Sequence, residues 1–266
     1  MAKRKRGKAL GSVESDSKKG RGERGKIESK ADDVIASKQR EEAVAKCSKS
    51  NPHLRDVKSR AVFVLENASL TKGFVHKKKK ILRCNEDGNS LLRQGKNPND
   101  YQPDIVFEAL RAILDSKLNK AGMVGAIYVK TDAGLLLEVK PNVRIPRTCK
   151  RFCGVVVDVL EKSCIRSKDT GDVLIRVVEG PVTRYLPENA CITGLSYSSQ
   201  KSVQIKDYVS GISDDFNPVF VVGAMVNGKV SEEYTNDYVS ISDYPLSAKF
   251  CLGMICHALE QKWSIF

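Results

Sequence analysis

Val219-Phe220-Val221-Val222-Gly223-Ala224-Met225-Val226-Asn227-Gly228-Lys229 is the stretch that decides the fold. Four consecutive large apolar residues read as a strand buried on both faces, as strands of a covered parallel sheet are. The glycines after it let bare backbone approach a ligand at the carboxyl end of a strand, where α/β sheets hold what they bind. Gly223, Gly228 and Lys229 also stand at G-x-x-x-x-G-K spacing, which invites a phosphate-loop reading. Val230 then occupies the place of the hydroxyl that would ligate magnesium, and Ser231 to Asp237 is acidic and polar, with no apolar helix to dock. A nucleotide triphosphatase is therefore rejected, and a glycine-lined ligand loop remains.

Outward from this strand, apolar and helical patterns alternate. Val62–Leu65 reads as a buried strand ending near Asn67, and residues 71–103 read as an elaborated basic loop with room for one short strand. Asp104 to Leu114 is an amphipathic helix entered through Pro103. Val124–Val129 and Leu135–Val139 are strands around the turn Thr131-Asp132-Ala133-Gly134. Thr148 caps a helix with Phe152, Val156, Val159 and Leu160 on its apolar face. Strands are expected at Val173–Val178 and Ala190–Ser196, and a last helix from about Leu246 to Trp263. This order predicts an α/β domain with a mostly parallel sheet flanked by helices. Two further loops, at Gly194-Leu195-Ser196 and Val239–Ala248, follow strand-like segments and join the glycine loop as candidate ligand holders.

The chain has 266 residues, 41% of them hydrophobic, with no apolar run near the ~20 residues of a membrane span. No apolar block follows the basic N-terminus, so neither a membrane protein nor a secretory signal is expected. Eight cysteines without a C-x-x-C pair read as reduced thiols, and no metal site is expected. From Arg60 onward there is no G-x-G-x-x-G turn, nucleophile elbow or H-E-x-x-H. The net charge is +13, and residues 1–60 hold 18 basic against 9 acidic residues, leaving only +4 for the remainder. Residues 1–58 therefore read as a basic disordered tail, whose Lys3-Arg4-Lys5-Arg6 run suits nuclear import, and residues 59–266 as the folded domain. Within that domain the sharpest basic feature is Pro141–Phe152. Arg147 and Arg151 are four apart across a helix start, and Arg144 lies just upstream on a proline-stiffened approach. Three guanidinium forks there suit a phosphate backbone; a merely solvated basic face has the same spacing.

Leu114-Asp115-Ser116 with Asn119-Lys120-Ala121-Gly122, then Arg144–Phe152, Val221–Lys229 and Ser242–Ala248, carry a family resemblance. From about Arg60 onward the chain resembles the eukaryotic ribosome-biogenesis methyltransferases that act on N1 of a pseudouridine in small-subunit rRNA, members of the SPOUT or α/β-knot superfamily. The resemblance implies a C-terminal trefoil knot, a rare exception to unknotted topology. It implies an S-adenosylmethionine pocket, homodimers, pre-ribosomal assembly factors as partners, and a nuclear, nucleolar location. Cofactor contacts are implied at Leu195, Gly223, Gly228, Ile241, Ser242, Asp243, Tyr244, Pro245 and Leu246. RNA contacts are implied at Gln102, Asp104, Arg144, Arg147 and Arg151. Gln102 stands where many relatives carry arginine, and Asp243 where asparagine is common. Pseudouridine is joined to its sugar through carbon, so N1 keeps a proton and can accept a methyl. Asp104 is the candidate catalytic residue, as proton acceptor or base anchor. The competing reading is a non-enzymatic rRNA-binding assembly factor using the same basic face.

Overall fold

The computed structural model describes residues 59–75 and 78–266; the tail of residues 1–58 lies outside them. In chain order the elements are β1 (Ala61–Ala68), β2 (Lys72–Val75), β3 (Lys78–Ile81), α1 (Cys84–Arg93), α2 (Pro103–Leu114), α3 (Lys117–Lys120), β4 (Val124–Thr131), β5 (Leu136–Val139), α4 (Cys149–Lys162), β6 (Cys164–Arg166), β7 (Val173–Val178), β8 (Ala190–Leu195), α5 (Ile205–Gly211), β9 (Asn217–Gly223), β10 (Asp237–Val239) and α6 (Ala248–Lys262).

Eight strands form one sheet in the order β10-β8-β9-β1-β4-β5-β7-β6. The five from β10 to β4 are mutually parallel, and the β4–β5–β7–β6 side is antiparallel. The continuous apolar strand Val219–Val222 lies between β8 and β1, deep in the parallel half, where both faces must be covered. Along β1 the side chains alternate between two cores. Phe63 and Leu65 join α2, α4 and α6, with the Phe63 and Phe220 rings stacked at 6.2 Å and Phe107 of α2 5.5 Å from Phe152 of α4. Val62 and Val64 face the other way, with Tyr128, Val219 and Val221, under irregular chain that contributes Val182 and Val230.

The 71–103 region differs from its sequence reading. It is a β2–β3 hairpin followed by the ten-residue helix α1. That helix escapes a periodicity search because it buries only Asp87 and Leu91 and carries Gly88 and two asparagines. Asp87 closes its start in place of a cap, accepting from the Arg83 amide at 3.1 Å and pairing with Lys80 at 2.8 Å.

At the other sheet edge, β10 is enclosed from two sides. Val239 O accepts from Ser196 N at 3.0 Å, next to β8. On its far side Ser199 Oγ donates to Tyr238 O at 2.8 Å, Val203 N donates to Ser240 O at 2.8 Å, and Ser240 N donates to Lys201 O at 2.8 Å. Residues 196–204 thus leave β8 and pass around β10 before α5 begins.

Candidate active site

The carboxyl ends of β8, β9 and β10 open into a cavity of about 360 Å³, within the usual range for a small-molecule site. Leu195, Gly223, Gly228, Ile241, Ser242, Tyr244, Pro245 and Leu246 all line it, eight of the nine positions implied for the cofactor. Asp243 does not; it is exposed. Ser196, Tyr197, Met225, Lys229 and Ser240 complete much of the wall; all but Tyr197 lie in the loops the sequence offered as ligand holders, though none was singled out as a contact. Lys229 is the one charged side chain among the lining residues. The rest of the lining is uncharged, with apolar side chains and glycine backbone interspersed with serines, Asn227 and two tyrosines, suited to a flat heterocycle edged by hydrogen-bonding groups.

Two glycines shape the floor. Gly228 has φ +139°, a conformation that L side chains rarely adopt. A Cβ there would lie 2.7 Å from Met225 Sδ, and one at Gly223 would lie 2.9 Å from Met225 Cε. The thioether of Met225 therefore rests against the bare backbone of both. Because it is a flexible chain end, it can yield this cradle to a ligand.

The glycine loop is fastened by a carboxylate that sequence reasoning missed. Glu66, in β1 opposite Gly223, is 1% exposed. Its carboxylate accepts from Ser231 N at 2.9 Å and Tyr234 OH at 2.9 Å, and pairs with Lys130 Nζ at 3.3 Å. Its backbone oxygen accepts from Ala224 N at 2.7 Å. Both ends of the 224–231 segment are thus tied to one residue. Burial, reinforced by the Glu66 charge, pushes the Tyr234 phenol well above its ordinary pKa, so it stays a donor.

The RNA candidates form a separate surface. Arg144, Arg147 and Arg151 are all exposed, and no acid pairs with them among the described residues. Thr148 caps α4 as expected, its Oγ1 accepting from Arg151 N at 3.5 Å. Inside this first turn, Cys149 and Cys153 Sγ lie 3.9 Å apart. The hydrogen bond from Cys153, helped by the Arg83 charge, holds the Cys149 thiol below its usual range against the effect of burial. Asp104 and Glu108 on α2 act in the opposite direction on that thiol, which places them beside the α4 start. Gln102 precedes α2 without a side-chain capping bond. Neither Gln102 nor Asp104 lines the cavity of the same chain. The two regions communicate through Glu108, one turn from Asp104, which binds Lys249 at 2.7 Å next to the cavity-lining Ala248. Asp115 closes α2 and pairs with Arg111 at 3.5 Å, a structural role.

Comparison with known proteins meets this geometry. The family model described as EMG1/NEP1 methyltransferase matches residues 63–260. The mouse protein named ribosomal RNA small subunit methyltransferase NEP1 is 40% identical over 206 residues, 77% of this chain and 83% of that one. The human protein of the same name is 39% identical over the same shares. Among solved structures, the crystal structure of Archaeoglobus fulgidus Nep1 bound to S-adenosylhomocysteine superposes with a TM-score of 0.56, covering 78% of this chain and 100% of that one at 19% identity. That likeness is one of fold. The family model spans the glycine loop, the α4 arginines and nearly all of the C-terminal end, so the chain belongs to the EMG1/NEP1 methyltransferase family.

Proposed function

We propose that this chain methylates N1 of a pseudouridine in small-subunit rRNA, using S-adenosylmethionine, during assembly of the small ribosomal subunit. The observation that carries the reading is the pairing of a glycine-floored cavity at three parallel strand ends with a separate, unpaired arginine face. The residues present fit the cofactor: bare backbone at Gly223 and Gly228, apolar flanks from Leu195, Ile241 and Leu246, and Lys229 as a cation for a carboxylate. When bound, S-adenosylmethionine supplies an electrophilic methyl on a sulfonium. The protein's part is first positioning, holding the nucleotide so that its N1 lone pair lies in line with that methyl. Arg144, Arg147 and Arg151 hold the phosphates of an unpaired loop, which leaves the base free to be turned out of its stack. Asp104 takes the N1 proton or anchors the base.

Asp104 lies outside the cavity of its own chain, which favours a homodimer in which each cavity is completed by a second copy. Tyr197, Val226, Tyr244 and Phe250 are exposed large apolar side chains at or beside the cavity, the kind of surface a monomer rarely leaves uncovered. Pre-ribosomal assembly factors as partners and a nucleolar location complete the reading, the latter supported by the Lys3–Arg6 run. Among the described residues no helix is long and apolar enough to cross a membrane.

The test uses methyl-labelled cofactor and two stem-loop RNAs differing only in pseudouridine or uridine at one loop position. Label should enter the pseudouridine RNA alone, since uridine N1 bears the glycosidic bond. Tight RNA binding with no transfer to either would establish the assembly-factor reading instead.

A further inference from the structure

The β2–β3 hairpin has no part in the cavity or the arginine face, yet its composition is unusual. Residues 71–83 hold six lysines and arginines and no acid. Phe74, two residues from Lys72 on the same strand face, is 66% exposed, an apolar ring held out into water among cations. Lys79 is engaged with Glu161 at 3.2 Å and Lys80 with Glu86 and Asp87, which fastens the hairpin to α4 and α1. Lys72 and Lys78 are exposed and have no acidic partner among the described residues. The hairpin also continues the arginine face. Glu86 lies 3.3 Å from Lys80, 2.9 Å from Arg83 and 3.8 Å from Lys150, and Lys150 adjoins Arg151. One carboxylate thus joins the base of the hairpin to the start of α4.

A bare aromatic ring with the free Lys72 beside it on the same face, and Lys79 across from it held by Glu161, asks for a polyanion that also offers flat apolar faces. Unpaired nucleic acid is that ligand: a phosphate meets the free lysine, and any base can stack on the ring. A lone aromatic on a short hairpin gives little area for a lipid surface, and an acidic peptide has no use for the ring. We propose that the hairpin is a second RNA-binding site, with Phe74 stacking on an unpaired base and Lys72, on the same face, holding a flanking phosphate. It grips single-stranded RNA adjoining the target loop. The proposal rests on the rRNA reading given above.

The probes are a pseudouridine stem-loop RNA with a single-stranded extension and the same stem-loop without it. Phe74→Ala in the full chain should weaken binding of the extended RNA on the order of tenfold. The slope of log affinity against log salt should stay unchanged, because no charge is lost. Binding of the short stem-loop should not alter, and Phe74→Trp should retain the wild-type affinity. Lys72→Ala should flatten that slope by about 0.7 on the extended RNA, the value of one phosphate contact. Melting temperature and cofactor affinity should not move in any variant. Equal affinity of wild type and Phe74→Ala for the extended RNA would overturn the proposal. So would loss of binding to phosphatidylserine vesicles on Phe74→Ala with RNA binding intact. Wild-type protein that binds neither RNA would instead defeat the rRNA reading itself.

Discussion

Replacing Glu66 should damage the cofactor site from behind, without touching its lining. Glu66→Ala leaves the Ser231 amide and the Tyr234 hydroxyl without an acceptor and Lys130 without its buried counter-charge. Removing one partner of a buried charged pair costs about 3–5 kcal/mol. Lys130 is 40% exposed at its side chain and water will partly satisfy it, so the lower end applies. Glu66→Gln keeps a carbonyl to accept from one donor but turns an amide NH2 toward the other donors, at roughly 1–3 kcal/mol. At about 2–4 °C per kcal/mol for a domain of this size, the melting temperature should fall by a few to about ten degrees for Gln and by more for Ala. The more specific effect is on the loop. With Ser231 released, the 224–231 segment is tied at one end only, and ordering it on binding reduces cofactor affinity. Titration calorimetry with S-adenosylhomocysteine at a temperature where Glu66→Gln is fully folded should show that loss, with affinity for RNA unaltered. Tyr234→Phe removes one of the same bonds, so the double variant should lose less than the sum of the singles. A folded Glu66→Ala protein with wild-type stability and cofactor affinity would refute the reasoning.

Three further outcomes are expected. Replacing Arg144, Arg147 and Arg151 together by Ala should flatten the salt slope of RNA binding by roughly 2, while Lys at those positions restores the slope but only part of the affinity; an unaltered slope would mean the guanidiniums merely face water. Gly223→Ala should fold and still bind cofactor weakly, since its Cβ meets only the mobile end of Met225, whereas Gly228→Ala adds strain of about 1–3 kcal/mol at φ +139° and Gly228→Val should abolish cofactor binding, all measurable by calorimetry and thermal melts. Iodoacetamide should modify Cys149 first, and because its thiolate forms at lower pH than an ordinary thiol, its rate should plateau earlier on a pH series; Cys153→Ala should move that plateau upward, and Cys256, pushed up to about 12 by burial, should stay unreacted in mass spectra of the folded protein.

What could be read from the sequence was what burial writes into it. β9 announces itself because both its faces are covered, so every residue from Val219 to Val222 is apolar. α2 and α4 show a stripe because one side of each packs on the sheet. α1 shows none, since it buries one leucine and one aspartate and leaves the rest in water. Glu66 reads as an ordinary strand-end acid; only the folding of residues 231–234 across it makes it an internal anchor, and that contact spans 165 residues. Cavity positions were legible where glycine betrays close backbone approach. Ser196 and Met225 were legible only as members of candidate loops, and Tyr197 not at all, because a residue whose backbone or flexible tip forms a wall carries no chemical mark. Asp243 was expected at the wall through the family pattern, and it is exposed and absent from the lining while both its neighbours contribute to it.

The enclosure of β10 by residues 196–204 has a consequence for when the enzyme comes into being. The third wall of the cavity, Ser240 to Leu246, is built from the chain that directly follows this enclosed strand. During translation the sheet centre, both glycine positions and the arginine helix are all available while residues beyond 237 are still inside the ribosome. The cavity is not. Cofactor affinity is therefore acquired late, and the same segment brings α6, whose Leu252, Ile255 and Leu259 complete the core, so a product lacking it loses the cavity and the closed core together. Occupancy of the cavity certifies that the chain was finished.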